Sequence, residues 1–487
     1  MNNANRLSAA IMLLVAILLT VVYKLTTVGP FQAATFDIMM VLLVIAVAVF
    51  MRNSQHSSLK GYWLKPSNLF IIAYLAVNFQ FLADYRVGFK NEMSRHILFP
   101  ECLNLCLILG MVGLFAFVAG YSWVSRDPFY GKQQKAKSLS LERLRFPLVA
   151  LQLLMFIGFI LTIDVVSYIN GMDYGNENKT NSTFEGTLYV ANALIVLYVA
   201  NRDRDFRSLK DYLHSFPWLS LVVIGIYMVL RLLSGDRGPF VYTAILLFYG
   251  YAYASRKKYK LITVATVVIV AAVAMSIVGI ARTLDRGEGF FSRVLDAREM
   301  FREGGRFAND ESSIMPATEE LGFSFIVNQV DVEQVENRGV AYNHGAYTLY
   351  SVISGIPFGP RLITQTMGVR PEEFSSSGFA NYHYFGGYER NWGVGTTIVG
   401  DFYLQFGVFG VLIGLFVAGL FLSWIDWVLF VRNKNSIGVY LLLFALLFAS
   451  KEIYMPRSML LNEWPRFVHG AIILFMLLMF TGSKARS

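Results

Sequence analysis

Apolar stretches of about 18–25 residues recur along the whole chain, and a run of that length crosses the ~30 Å hydrocarbon core of a bilayer as a single helix. Twelve such runs fall near residues 7–28, 34–51, 67–84, 98–124, 146–169, 185–200, 216–234, 238–255, 260–280, 393–431, 437–452 and 466–482. The chain is 55% hydrophobic and only 15% charged, where soluble domains carry about a quarter charged residues. The first run, just after Arg6, is longer than a signal-peptide core, and a second follows almost at once, so it reads as a retained anchor. The expected fold class is an all-α polytopic membrane protein with about 12 transmembrane helices and one large outer loop. Residues 1–280 supply helices 1–9, residues 281–391 a loop subdomain, and residues 392–487 helices 10–12.

Lys and Arg in short loops are retained on the cytoplasmic side. With the N-terminus inside, cytoplasmic segments hold 22 basic residues and the short outer loops hold 8, which places both termini in the cytoplasm. The formal net charge of +9 is therefore largely an orientation signal and no sign of nucleic acid. The long loop is itself acidic, with ten arginines and no lysine against fifteen acids. Arginine without lysine suits bidentate recognition of phosphate or carboxylate, although pairing with the loop's own acids accounts for the same composition. Cys102 and Cys106 are the only cysteines, so no disulfide framework is available. No Walker loop, HExxH, Gly-x-Ser-x-Gly or His/Cys ligand cluster occurs, and no metal or cofactor is expected.

The chemistry-bearing residues gather at the outer ends of spans. In Arg231-Leu-Leu-Ser-Gly-Asp-Arg-Gly-Pro-Phe240 the glycines allow a tight reversal and Pro239 opens the next helix. Arg237 then sits at a helix N-terminus that already favours an anion. The alternative is an interfacial arginine snorkelling to lipid headgroups. Arg231 lies inside an apolar span, where a charge is costly unless it meets a partner or a cavity. Arg282 follows the ninth span directly, Arg457 lies in the last outer loop, and Arg466 opens the last span. Arg293, Arg298 and Arg302 interleave with apolar residues over 290–303, as in an amphipathic helix whose role is packing at the interface. His344 and His383 are the loop's two histidines and its candidates for proton transfer at neutral pH. The nearby Phe379, Tyr382, Tyr384, Phe385, Tyr388 and Trp392 fit either a sugar-stacking platform or an interfacial aromatic belt.

Several of these stretches resemble the Wzy-type oligosaccharide repeat-unit polymerases of O-antigen and enterobacterial common antigen. Ser234-Gly-Asp-Arg237-Gly resembles that family's Gly-x-Arg-Gly turn, the long loop is entered by Arg282, and Ile356-Pro-Phe-Gly-Pro-Arg361 resembles its proline-rich segment. Gly393-Val-Gly-Thr-Thr-Ile-Val-Gly-Asp401-Phe-Tyr403-Leu-Gln-Phe-Gly407-Val-Phe-Gly410 resembles the Gly-rich approach to the following span, where many relatives have Glu in place of Asp401. Arg457 and Arg466 match a pair of arginines before the last span.

The resemblance implies a GT-C-like glycosyltransferase of the bacterial inner membrane, acting at the periplasmic face without an essential metal. Its substrate would be an undecaprenyl-diphosphate-linked oligosaccharide, and its partners membrane lipid and a chain-length-regulating co-polymerase. Arg237, Arg282 and Arg457, supported by Arg466 and Arg231, would then bind the diphosphate, because its developing charge needs fixed cations. Asp401 or His344 would activate the acceptor hydroxyl. Two rivals share much of this pattern. An O-antigen ligase would transfer the same glycan to lipid A core, and a flippase for lipid-linked sugars would show inverted repeats and mid-bilayer charges. No repeat is visible, and the charges cluster at span ends, which favours an enzyme.

Overall fold

Every one of the twelve apolar runs is a helix in the computed structural model. The structure describes residues 3–55, 59–88, 97–124, 141–165, 179–202, 206–281, 284, 290–302, 318–368, 370–387, 393–431 and 438–482, and among them all regular elements are helical. In chain order the spans begin with α1 (Asn3–Leu25), α2 (Ala33–Ser54), α3 (Pro66–Val87) and α4 (Leu103–Val124). There follow α5 (Arg145–Thr162), α6 (Lys179–Ala200), α7 (Trp218–Leu233), α8 (Arg237–Ser255) and α9 (Leu261–Ala281). The long loop supplies α10 (Phe290–Arg302), α11 (Phe325–Val332), α12 (Ala346–Ile353), α13 (Gly359–Met367) and α14 (Ser376–Phe385). The last spans are α15 (Ile398–Phe430), α16 (Val439–Ser450) and α17 (Trp464–Phe480). Eight helices are long and apolar enough to cross a membrane by length and composition, and α7, α16 and α17 are shorter apolar helices.

The chain divides into two units. The first comprises Met1–Gly131, Glu303–Asp426 and Glu452–Asn462. Its centre is α4, buried from Leu103 to Ser122, because a helix with no polar stripe has every face to cover. Helices α1 and α2 pack on α4, and so does α15. The last contact depends on two glycines: a Cβ on Gly120 would strike the Phe416 carbonyl, and one on Gly419 would strike the Phe117 carbonyl. Such small residues let helix backbones approach closely where no hydrophobic effect drives association.

A short helix of the long loop also belongs to this core. All eight residues of α11 are buried, including Asn328, Gln329 and Asp331. Helix α11 packs on α4, on α14 and on a π turn, Ala76–Gln80, that interrupts α3. A second π turn, Glu333–Asn337, follows α11 directly. Such turns carry one residue too many for the helix and often mark functional sites.

Helix α15 breaks at Phe406 (φ −143, ψ 19) and Gly407 (φ 66, ψ −156). Beside the break, the Leu404 and Gln405 carbonyls accept from the backbone N–H groups of Asn343 (3.0 Å) and His344 (3.1 Å). The loop thus supplies hydrogen bonds at the point where the helix stops being regular.

The second unit comprises Lys132–Arg302, Trp427–Lys451 and Glu463–Ser487. Helices α5, α8, α16 and α17 surround α6, whose residues Leu188–Ala200 are buried throughout. The amphipathic segment after the ninth span is α10, and it turns Val294, Ala297 and Phe301 onto the end of α9.

Replacing Gly120 or Gly419 by leucine should lower stability by about 3 kcal/mol or prevent folding, since the added atoms meet backbone that cannot yield. Gly225→Ala on α7, where nothing lies within 4 Å, should leave it unchanged or slightly raised. Melting temperatures of the purified variants in detergent measure the difference.

Candidate functional site

In the second unit, charged side chains converge at the ends of α6, α7, α8, α16 and α17. Asp236 caps α8, its carboxylate accepting from the Gly238 N–H at 3.2 Å. The same carboxylate pairs with Arg231 at 2.9 Å, while the other side of that guanidinium meets Glu185 at 2.8 Å. Tyr227 donates to Glu185 at 2.8 Å. Glu185 is within electrostatic reach of Lys451, which pairs with Glu463 at 2.9 Å, and Glu463 also holds Arg466. The Lys451 ammonium faces the rings of Tyr242 and Tyr189, 4.4 and 5.4 Å from their centroids.

The cluster therefore joins three cations, Arg231, Lys451 and Arg466, to three carboxylates, Glu185, Asp236 and Glu463. Each ion needs the others, since an unpaired charge at this burial would carry a desolvation cost of several kcal/mol. Exposure is uneven: the Arg231 and Glu463 side chains are 6% and 4% exposed, whereas Arg466 and Asp236 are 34% and 27% exposed. The exposed edge of the cluster thus runs between Asp236 and Arg466. Arg237 follows Asp236 at the start of α8 and donates to the Met275 carbonyl.

The first unit holds a different centre, where α15 begins. Thr397 caps that helix, its hydroxyl accepting from the Gly400 N–H at 2.8 Å and donating to Asn328 of α11. Asn328 in turn donates to Asn78 on the π turn of α3 at 3.0 Å. Asp401, one turn into α15, accepts from Ser376 at 2.8 Å and from the Gln405 amide at 3.2 Å. The Gln405 carbonyl oxygen accepts from the N–H and hydroxyl of Thr348 at 3.1 and 2.7 Å. Because the Gln405 main-chain carbonyl accepts from His344, one residue ties Asp401 to His344 beside the helix break. His344 has a left-handed backbone (φ 51) and is exposed, while Asp401 is buried.

The sequence-derived residues thus divide between the units. Arg231 and Arg466 share one cluster with Arg237 beside it; Asp401 and His344 share another centre. Arg457 belongs to the first unit, half-exposed in a turn that packs on α3. Arg282 lies outside the described residues, as do Tyr388 and Trp392. His383 packs its ring on Phe379 and Tyr382, and burial together with Arg338 holds it below the usual histidine range.

Two acids were invisible to motif reading. Glu336, on the π turn after α11, accepts from the hydroxyls of Tyr403 at 2.7 Å and Tyr23 at 3.1 Å. Asp331 is fully buried against Gly400, and among the described residues neither of its oxygens has a hydrogen-bond partner. Burial first, and then the Asp401 carboxylate, raise Asp331 well above the usual carboxylate range. Their run, Asp331-Val-Glu-Gln-Val-Glu336, looks in sequence like a solvated acidic stretch.

A buried carboxyl that keeps its proton is a stability liability at high pH. As pH rises through about 4 the unfolded chain releases that proton while the folded chain retains it, so stability falls by up to ~1.4 kcal/mol per pH unit. Asp331→Asn should therefore melt above the parent at pH 8, with the gap closing towards pH 4. A variant that melts at or below the parent at both values would show that Asp331 is ionised and paired.

A family model described as O-antigen polysaccharide polymerase Wzy matches residues 8–485. No curated protein and no solved structure matches the chain. The match spans both units and nearly the whole chain, so the helical membrane fold, the turn at Arg237, the break in α15 and the closing arginines all fall within one family domain. The chain belongs to the O-antigen polysaccharide polymerase Wzy family.

Proposed function

We propose that the protein transfers a nascent glycan from undecaprenyl diphosphate to the non-reducing end of a new lipid-linked repeat unit, at the periplasmic face of the inner membrane. Membership of the family makes it a polymerase of lipid-linked oligosaccharide repeat units. The observation that carries the finer reading is the cluster of Arg231, Lys451 and Arg466, three cations on one body with a single exposed edge. Breaking the anomeric C–O bond leaves a diphosphate, and its charge is stabilised by cations already fixed in place. Arg466 and Arg237 meet the diphosphate at that edge, while Lys451 and Arg231 stand behind them. Glu463, Glu185 and Asp236 hold the cations in position before substrate arrives. Arg457 and Arg282 are assigned to diphosphate binding by the sequence resemblance alone.

The acceptor hydroxyl needs a base. His344 is exposed and held by its backbone at the break of α15, so its imidazole takes the proton. Asp401 is sealed and already hydrogen-bonded, and it positions His344 through Gln405. Fixed arginines replace a divalent ion in a GT-C-like mechanism, and chain length is set together with a co-polymerase.

Arg466→Ala leaves Lys451 to balance Glu463, so the variant should fold yet polymerise roughly 100-fold more slowly. Arg466→Lys should recover only part of the activity, because an ammonium lacks the guanidinium's fork. His344→Ala should lose roughly 100-fold or more, while Asp401→Asn keeps most activity. Glycan ladders from cells carrying each variant read these outcomes. Single repeat units left on lipid A mark a failed polymerase, whereas no glycan on lipid A would mark a ligase. A normal ladder in Arg466→Ala would remove the cluster from the mechanism.

Purified protein in liposomes should extend lipid-linked repeat units at the same rate with and without EDTA. Abolished synthesis that returns with added magnesium would overturn the metal-free reading.

A further inference from the structure

We propose that the α12–α13 hairpin of the long loop is an anchor seated in the outer leaflet of the bilayer, with Phe358 at its tip. From Val340 to Pro360 the chain carries no Lys, Arg, Asp or Glu. Within this stretch Leu349, Ile356 and Phe358 are 60%, 56% and 83% exposed, and Leu362 on α13 is 68% exposed. The turn geometry produces the exposure. Gly359 lies directly against the Ile353 carbonyl, where a Cβ would not fit, so α13 folds back tightly on the end of α12. Phe358, with φ 64, is turned out of that corner, a backbone conformation uncommon for a bulky residue. A contiguous apolar surface of this kind marks an interaction site rather than ordinary surface.

The occupant follows from where the hairpin begins. α15 is two helices that meet at Phe406–Gly407, the earlier one folding back so that Phe402 lies against Gly410 and Gly414 of the later one. Gly407 lies 23 residues before Phe430, a rise of about 35 Å, so the break falls where α15 leaves the bilayer. The N-terminus of α12 is fixed to this level, because Gly345 packs on the Phe406 ring and Thr348 bonds Gln405. Below the break, Phe409 and Ile413 are exposed on α15 as lipid-facing residues. The apolar surface of the hairpin thus starts beside a lipid-facing surface and at its level. Arg361, exposed on the first turn of α13, supplies the cation that an interfacial helix turns to phosphate headgroups. The inference is independent of the polymerase reading.

The test places a fluorophore at Phe358→Cys or Leu362→Cys in full-length protein reconstituted into phosphatidylethanolamine–phosphatidylglycerol vesicles. Cys102 and Cys106 are buried, and the unsubstituted chain measures background labelling. Arg338→Cys, on a side chain 58% exposed, is the water-facing reference. Probes at 358 and 362 should lose most of their emission to nitroxide lipids labelled near the headgroup, and little to aqueous iodide. Iodide quenching equal to that at 338 would overturn the proposal. Shielding from iodide without quenching by nitroxide lipids would also overturn it, since protein, such as a second copy of the chain, would then cover the patch.

Discussion

No water is available inside a bilayer to satisfy a backbone that departs from the helix, so each irregularity has to be answered by protein. The break at Phe406–Gly407 is where this constraint shapes the first unit most. Asn343 and His344 place their amides on carbonyls at the break, and that docking carries the start of α12 with it. Gln405 adds a side chain that reaches Asp401 one way and Thr348 the other. A loop that looks unconstrained in sequence is thus fixed to a span at two adjacent residues. The same demand is met by the Thr397 cap and by the amide chain from Asn328 to Asn78.

Charge is governed by a related rule in the second unit. Arg231 is buried in the last turn of an apolar helix, and it is tolerated because Glu185 and Asp236 flank it on both sides. Lys451 and Glu463 repeat the arrangement between α16 and α17. The network joins helices far apart in sequence, from α6 to α17. In the proposed reading, an anion bound there would be felt by five helices at once.

Much of the fold was legible because span length is a strong, local signal. Each apolar run became a helix, with ends displaced by a few residues, as at α5, which stops at Thr162 where hydropathy alone runs to 169. Arg231 was identified as needing a partner, and two carboxylates supply it. Glu185 and Glu463 were not identified, because nothing in an isolated sequence says which acids will face one another across a bundle. Asp331 was missed for a similar reason. Five of the eight residues of α11 are apolar, but its Asn, Gln and Asp give no sign of burial, and the enclosure by α4, α14 and the α3 π turn is what takes them into the core. The break in α15 left no distinct trace, because Gly407 is one of five glycines between Ile398 and Phe430.

The burial of α11 has a consequence for how the chain is made. Spans such as α4 are apolar enough to enter the membrane singly as they are synthesised. α11 is too short to span and too polar to insert alone, and its final surroundings include Thr397, which follows it in the chain. It must wait outside while the later helices are still being made, then close into a slot prepared by α3 and α4. The enclosure of α11 is therefore not complete until Thr397 at the start of α15 has been made, so a helix that crosses nothing depends on spans made before and after it.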